Sequence, residues 1–135
     1  MINLPHIINL PKILDPRGNL SFFEGNNQIP FEIKRTYLIS DVPGGQKRGG
    51  HAYIKQEEFI VCLSGSFDVL LHNGIEESIY PLNRSYYGLY IPFRIWRGMQ
   101  NFSTNSVALV CSSTYYNPND YIRDFQTFKT LVNGS

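Results

Sequence analysis

The sequence predicts an all-β fold, a small antiparallel β-barrel or jelly roll with a short C-terminal helix. Three observations carry this. The 135 residues include nine Tyr and nine Phe, and aromatic and β-branched side chains favour strands. Apolar runs of about five to eight residues recur between Gly, Pro and Asn punctuation, the spacing of a sandwich or barrel. Only after Asp120 does the period lengthen, where residues 120–125 with Phe128 and Leu131 space their apolar positions at three and four, as one helix does. The length fits one domain over 1–135, with no repeat, low-complexity segment or linker.

Taken in order, residues 2–9 (INLPHIIN) form a first strand that Pro5 demotes to an edge or exchanged position. His6 lies near the terminus and is expected in solvent. Asp15-Pro16-Arg17-Gly18 has the chemistry of a turn, Asp first and Pro second, and feeds a strand over Asn19–Glu24. Residues 26–31 read as a polar loop holding Pro30. From Ile33 to Ile39 the chain alternates, so that Ile33, Arg35, Tyr37 and Ile39 share one face. An Arg and a Tyr between isoleucines suit the floor of a polar pocket.

Residues 42–50 form a loop of glycines and cations. No helix follows it, so a helix N-terminus is not available to hold an anion, but Lys47 and Arg48 can pair a diphosphate. Next, His51 and Tyr53 project to one side of a strand. Phe59–Leu63 and Ser66–Leu71 are strands. Asn73-Gly74 predicts a type I′ hairpin turn into Ile75–Leu82. Further strands follow at Tyr87–Ile91, Arg94–Met99 and Val107–Ser112, the last buried.

The formal net charge of +1 offers no bulk attraction to nucleic acid or to a membrane surface. Cys62 and Cys111 both lie inside apolar runs and read as buried free thiols. No apolar leader segment is visible and no run approaches the ~18 residues of a membrane span. A soluble cytoplasmic protein is expected.

The stretch from His51 through Glu58 to Gly65 resembles the first motif of the cupin superfamily, with Tyr53 where a second His belongs. Pro92 and Asn101 frame its second motif, with Arg94 in place of a Gly and Arg97 in place of a His. A cupin metal site needs several imidazoles and a carboxylate on one ion. A guanidinium does not ligate and repels a divalent cation. The expectation is a pocket with no metal and no cofactor.

More specifically, Asp15-Pro16-Arg17-Gly18-Asn19-Leu20, Ile33-Lys34-Arg35 with Tyr37, Arg48-Gly49 with His51-Ala52, Gly88-Leu89-Tyr90-Ile91 with Trp96, and Tyr115-Tyr116 with Asp120-Tyr121-Ile122-Arg123 are present. Together they resemble the nucleotide-sugar 3,4-ketoisomerases, over about residues 7–128. The resemblance implies action on dTDP-4-keto-6-deoxyglucose, on the way to a 3-amino-3,6-dideoxyhexose of surface glycans. It also implies a homodimer with exchanged N-terminal strands, the nucleotide gripped partly by the neighbouring subunit. The usual HAH of that family is HAY here.

Moving a ketone from C4 to C3 needs a base for the C3 proton, an enediol, and a proton returned at C4. His51 is the natural base, since imidazole titrates near neutrality. Tyr37 can carry a proton between the oxygens and Arg97 can stabilise the enediolate. Arg17, Arg35, Arg48 and Tyr53 complete the expected substrate contacts. In the resembling family an Arg in the turn that holds Arg17 goes with a galacto product, and an Arg at the position of Arg97 with a gluco product. Arg17 is the stronger cue, so dTDP-3-keto-6-deoxygalactose is expected. Two other readings compete. A 3,5-epimerase would exchange C3 and C5 protons and needs a carboxylate behind its His, and a sugar-sensing cupin would leave the ligand unchanged.

Overall fold

A computed structural model describes residues 4–134. Twelve strands, all paired antiparallel, make up the described fold: β1 (His6–Asn9), β2 (Lys12–Asp15), β3 (Gly18–Ser21), β4 (Arg35–Ser40), β5 (Arg48–Tyr53), β6 (Glu58–Ser64), β7 (Phe67–His72), β8 (Glu77–Leu82), β9 (Tyr87–Ile91), β10 (Trp96–Gln100), β11 (Val107–Ser112) and β12 (Tyr121–Ile122). Among the described residues a 3₁₀ turn at Pro118–Asp120 precedes β12 and one α-helix, α1 (Phe125–Asn133), follows it. Residues 2 and 3 of the expected first strand lie outside the described residues.

One five-stranded sheet has the order β1-β9-β6-β11-β4 and the other β12-β5-β10-β7-β8, while β2 and β3 form a hairpin of their own. The sheets face each other as an open jelly-roll sandwich and do not close into a barrel. Where closure would join β4 to the edge formed by β12 and β5, the side chains of a cavity stand instead. Ile60 and Cys62 of β6 meet Phe67, Val69 and Leu71 of β7, Met99 of β10 and Val110 of β11 between the sheets. Phe59 and Val61, alternating with them, face the other way and are covered by Leu10, Ile29 and Phe31. A strand buried on both faces reads as a continuous apolar run, which is why FIVCL carries no alternation. Both cysteines are buried and unpaired.

Several expectations need correction. Residues 26–31 form the expected loop but are not polar throughout, because Ile29 and Phe31 reach down to close the second core. Asn73 does not make a two-residue turn. Its side-chain oxygen accepts from the N–H groups of Ile75 and Glu76, at 2.8 and 2.9 Å, and this local bonding opens the loop to residues 73–76. Nor does the C-terminal helix begin near Asp120. Tyr121 and Ile122 pair with Tyr53 and Ala52, and Asp124 caps the helix by accepting from Thr127 N–H at 2.8 Å. Phe128 then packs on Ala52 and Ile122. No helix among the described residues is long and apolar enough to cross a membrane.

Candidate active site

The cavity opens between the sheets at the end where β4 faces β5 and β12. It measures about 510 Å³, within the range of roughly 300–1,000 Å³ usual for small-molecule sites. Arg35, Tyr37 and Ile39 line it from β4, as their alternation predicts, and His51, Tyr53, Glu58, Arg97, Tyr116, Tyr121 and Arg123 complete most of the wall.

A backbone irregularity sets His51 in place. Gly98 stands opposite Gly49 but Arg97 stands opposite His51, so Gly50 bulges out of β5. Gly49 and Gly50 take φ of 93° and 83°, a region glycine enters without cost. A Cβ on Gly49 would sit 2.9 Å from the Gly98 Cα. The Arg-Gly-Gly-His run is thus the device that aligns His51 with Arg97 across the ladder.

His51 packs edge-on against Tyr53, ring centroids 4.9 Å apart, and 5.1 Å from Tyr121. Its Nε2 is buried without a hydrogen-bond partner, as is Nε of Arg35. Burial, then the positive charges of Arg97 and Arg123, hold the imidazole down to about 3 from its ordinary 6.5. It is therefore neutral, the form that accepts a proton. No carboxylate among the described residues is bonded to it.

Beneath it lies a polar floor. Arg97 and Glu58 form a buried ion pair at 2.8 Å. The same guanidinium donates to the Ile95 carbonyl at 3.0 Å and lies 4.9 Å from the centre of the Tyr53 ring. Tyr37 Oη donates to Glu58 Oε2 at 2.9 Å. Burial, then the Glu58 charge, pushes the Tyr37 phenol well above its ordinary value. Tyr53 is raised for the same two reasons, and its hydroxyl donates to Tyr121 Oη at 3.3 Å.

These residues do not suit the metal of a cupin. Tyr53 and Arg97 occupy two ligand positions, Glu58 already accepts from protein donors, and no three His, Cys, Asp or Glu side chains converge among the described residues. The rim is cationic instead. Arg35, Lys47, Arg48, Arg97 and Arg123 line the cavity against the single carboxylate of Glu58. Since Glu58 pairs with Arg97, four cations are left without an acidic partner there.

Six of the seven expected site residues thus meet at one cavity: His51, Tyr37, Arg35, Arg48, Tyr53 and Arg97. Arg17 does not. It sits at the tip of the β2–β3 hairpin, nine-tenths exposed and paired with Asp15 at 2.7 Å. Sequence reasoning overlooked Tyr121 and Arg123 as wall residues because it wound them into a helix. Asp124 followed by Thr127 was the available sign that the helix starts later.

Residues 3–133 match the family described as FdtA: WxcM-like, C-terminal. The chain is 42% identical, over 93% of its own length and 91% of the relative's, to a TDP-4-oxo-6-deoxy-alpha-D-glucose-3,4-oxoisomerase of Aneurinibacillus thermoaerophilus. Among solved structures it resembles a histidine-to-asparagine mutant of the 3,4-ketoisomerase QdtA from Thermoanaerobacterium thermosaccharolyticum, in complex with TDP-4-keto-6-deoxyglucose. The TM-score is 0.95 at 36% identity, covering 99% of this chain and 97% of the other. It also resembles the WlaRB TDP-quinovose 3,4-ketoisomerase from Campylobacter jejuni, with TM-score 0.89, 41% identity, and 95% and 98% of the two chains covered. A match that runs through both sheets and the whole cavity wall leaves one conclusion: the chain belongs to the FdtA, WxcM-like family of sugar-nucleotide 3,4-ketoisomerases.

Proposed function

We propose that the protein moves the ketone of dTDP-4-keto-6-deoxyglucose from C4 to C3, with His51 as the base. The observation that carries this is a neutral imidazole, its Nε2 unpartnered, in a cavity rimmed by cations. His51 takes the C3 proton and the electron pair passes to O4. The O3 hydroxyl proton is transferred to O4, and a proton returned to C4 leaves the ketone at C3. The atoms balance without oxidant or reductant. Arg35, Arg48 and Arg123 suit the diphosphate, whose negative charge opposes the cations that hold His51 down and so raises its basicity as substrate binds. Tyr53 orders the imidazole edge-on.

The product we propose has the galacto configuration, on the strength of Arg17. Its hairpin supports a homodimer: Ile13 and Leu20, opposite each other in the ladder, are more than half exposed, a face that a second copy would cover while Arg17 reaches the neighbouring cavity. A nucleotide-sugar substrate agrees with a cytoplasmic enzyme supplying a 3-amino-3,6-dideoxyhexose to surface glycans. The test is NMR of the product in deuterated water. A ketone at C3 is expected. Exchange at C5 with the ketone still at C4 would identify an epimerase, and an unchanged sugar a binding protein. Coupling to a 3-aminotransferase reads the C4 configuration, and Arg17→Tyr is expected to shift it.

A further inference from the structure

The roles above leave out Glu58, a cavity side chain with four donors on it. Glu58 Oε1 accepts from Arg97 Nη1 at 2.8 Å. Its Oε2 accepts from Tyr37 Oη at 2.9 Å, Gln56 Nε2 at 2.8 Å and Ser112 Oγ at 3.2 Å. A buried carboxylate is costly unless its lone pairs are matched, and these four donors match them. Its partners are held in turn. The Gln56 side-chain oxygen accepts from Thr114 Oγ1 at 2.6 Å. Asp120 accepts from the backbone N–H groups of Lys55 and Gln56 at 2.9 and 3.0 Å. The carboxylate is therefore fixed from β4, β10, β11 and the β5–β6 connection, which Asp120 holds from just before β12.

This has a consequence for Tyr37. A phenol carries one proton, and that of Tyr37 points to Glu58. Toward the cavity the oxygen offers lone pairs only, so it accepts from a sugar hydroxyl and does not donate to a carbonyl.

We propose that Glu58 is a positioning residue for ketone transfer: it takes the Tyr37 proton as the Tyr37 oxygen takes that of the sugar O3 hydroxyl, then returns it so that Tyr37 protonates O4. The O3–H bond breaks and the O4–H bond forms, with Tyr37 and Glu58 restored. Glu58 also cancels the Arg97 charge beneath the ring. The inference rests on the ketoisomerase reading.

Two proton transfers separate here, and the test reads both. In deuterated water with TDP-4-keto-6-deoxyglucose, C3 exchange reports the His51 step and ketone migration reports the relay. Glu58→Gln and Tyr37→Phe are each expected to keep C3 exchange while migration falls about 10²-fold, the scale of one positioned proton carrier. The double variant is expected to be no slower than either single one, because the two act as a unit. Glu58→Gln strands the Arg97 charge, so if it fails to fold, Glu58→Asp, which keeps a carboxylate for Arg97 but draws it back from Tyr37, carries the same expectation. Migration at full rate in any folded Glu58 variant would overturn the proposal. So would exchange and migration falling together, or losses that multiply in the double variant. Absence of both exchange and migration in the unmodified protein would sink the ketoisomerase reading itself, and the relay with it.

Discussion

The floor and the rim of the cavity use the same kinds of side chain to opposite ends. At the floor Arg97 is buried and bonded to Glu58 and to backbone carbonyls. At the rim Arg35 rests on the rings of Tyr37 and Tyr116, at 5.2 and 5.4 Å, and Arg123 lies 4.3 Å from the Tyr121 centroid. Arg48 and Lys47 are exposed. A buried charge must be matched within the protein, and the matching fixes geometry. Arg123, exposed on an aromatic face, costs little to leave unpaired, whereas Arg35 is half-buried with its Nε unpartnered, so an anion would supply the partner it lacks. The floor therefore sets position, and the rim is free for an anion the protein does not supply.

The largest way to break this division is to remove what the floor supports. His51→Asn keeps a similar shape and deletes the base, so kcat is expected to fall on the order of 10²–10⁴, with TDP binding, a property of the rim, little changed. Titration calorimetry with TDP beside turnover checks both halves. Near-full activity would make His51 structural.

Rim variants should show the reverse pattern. Arg35→Met or Arg123→Met each removes one charge-assisted contact, worth roughly 1.5–3 kcal/mol, so KM is expected to rise about 10- to 100-fold with kcat far less affected. The Arg35 and Arg123 losses should shrink as salt screens the diphosphate. A fall in kcat alone would place these side chains with the floor.

The pH response sharpens the comparison further, because rim charge acts on the base. In the free protein His51 titrates at about 3, so kcat/KM should show no acid limb from it between about pH 5 and 8. Bound diphosphate offsets Arg123, and the acid limb of kcat, which reports the complex, should lie at higher pH. The same shift makes a stability statement. The folded-state value lies below the ordinary 6.5, so between those values the unfolded chain binds more protons. The His51 contribution is complete above about 6.5 and is lost as pH falls toward 3. Urea midpoints across that window check the sign.

How much of this was legible in the sequence follows from where each signal resides. Val107–Ser112 was read to the residue, and the face of Arg35, Tyr37 and Ile39 was placed correctly, because alternation is local. The strand β2 was missed since Ile13 and Leu14 are both exposed, which leaves no alternation to see. Ile29 and Phe31 were hidden among Asn26, Asn27 and Gln28. Glu58 was visible as a motif acid. Its four donors come from positions 37, 56, 97 and 112, and only the folded sheets bring those together.

The smallest expected effect concerns how the floor is hung. Arg94 stands where a cupin motif has glycine and keeps the left-handed backbone, φ 61°. Its N–H donates to the Tyr53 carbonyl at 2.7 Å, tying the approach to β10 to the end of β5 just before Arg97. Its side chain is exposed and does not line the cavity. A non-glycine residue costs about 1–2 kcal/mol in this region, and a glycine costs about 0.4–1 kcal/mol through the freer unfolded chain. Arg94→Gly should therefore stabilise by roughly 0.5–1 kcal/mol, a Tm rise of about 2–4 °C, with kcat and KM unchanged. If the turn serves the floor through its backbone alone, thermal unfolding and turnover will separate in this way. A loss of activity in a more stable variant would instead assign the Arg94 side chain to the rim, joining it to the cations that await the diphosphate.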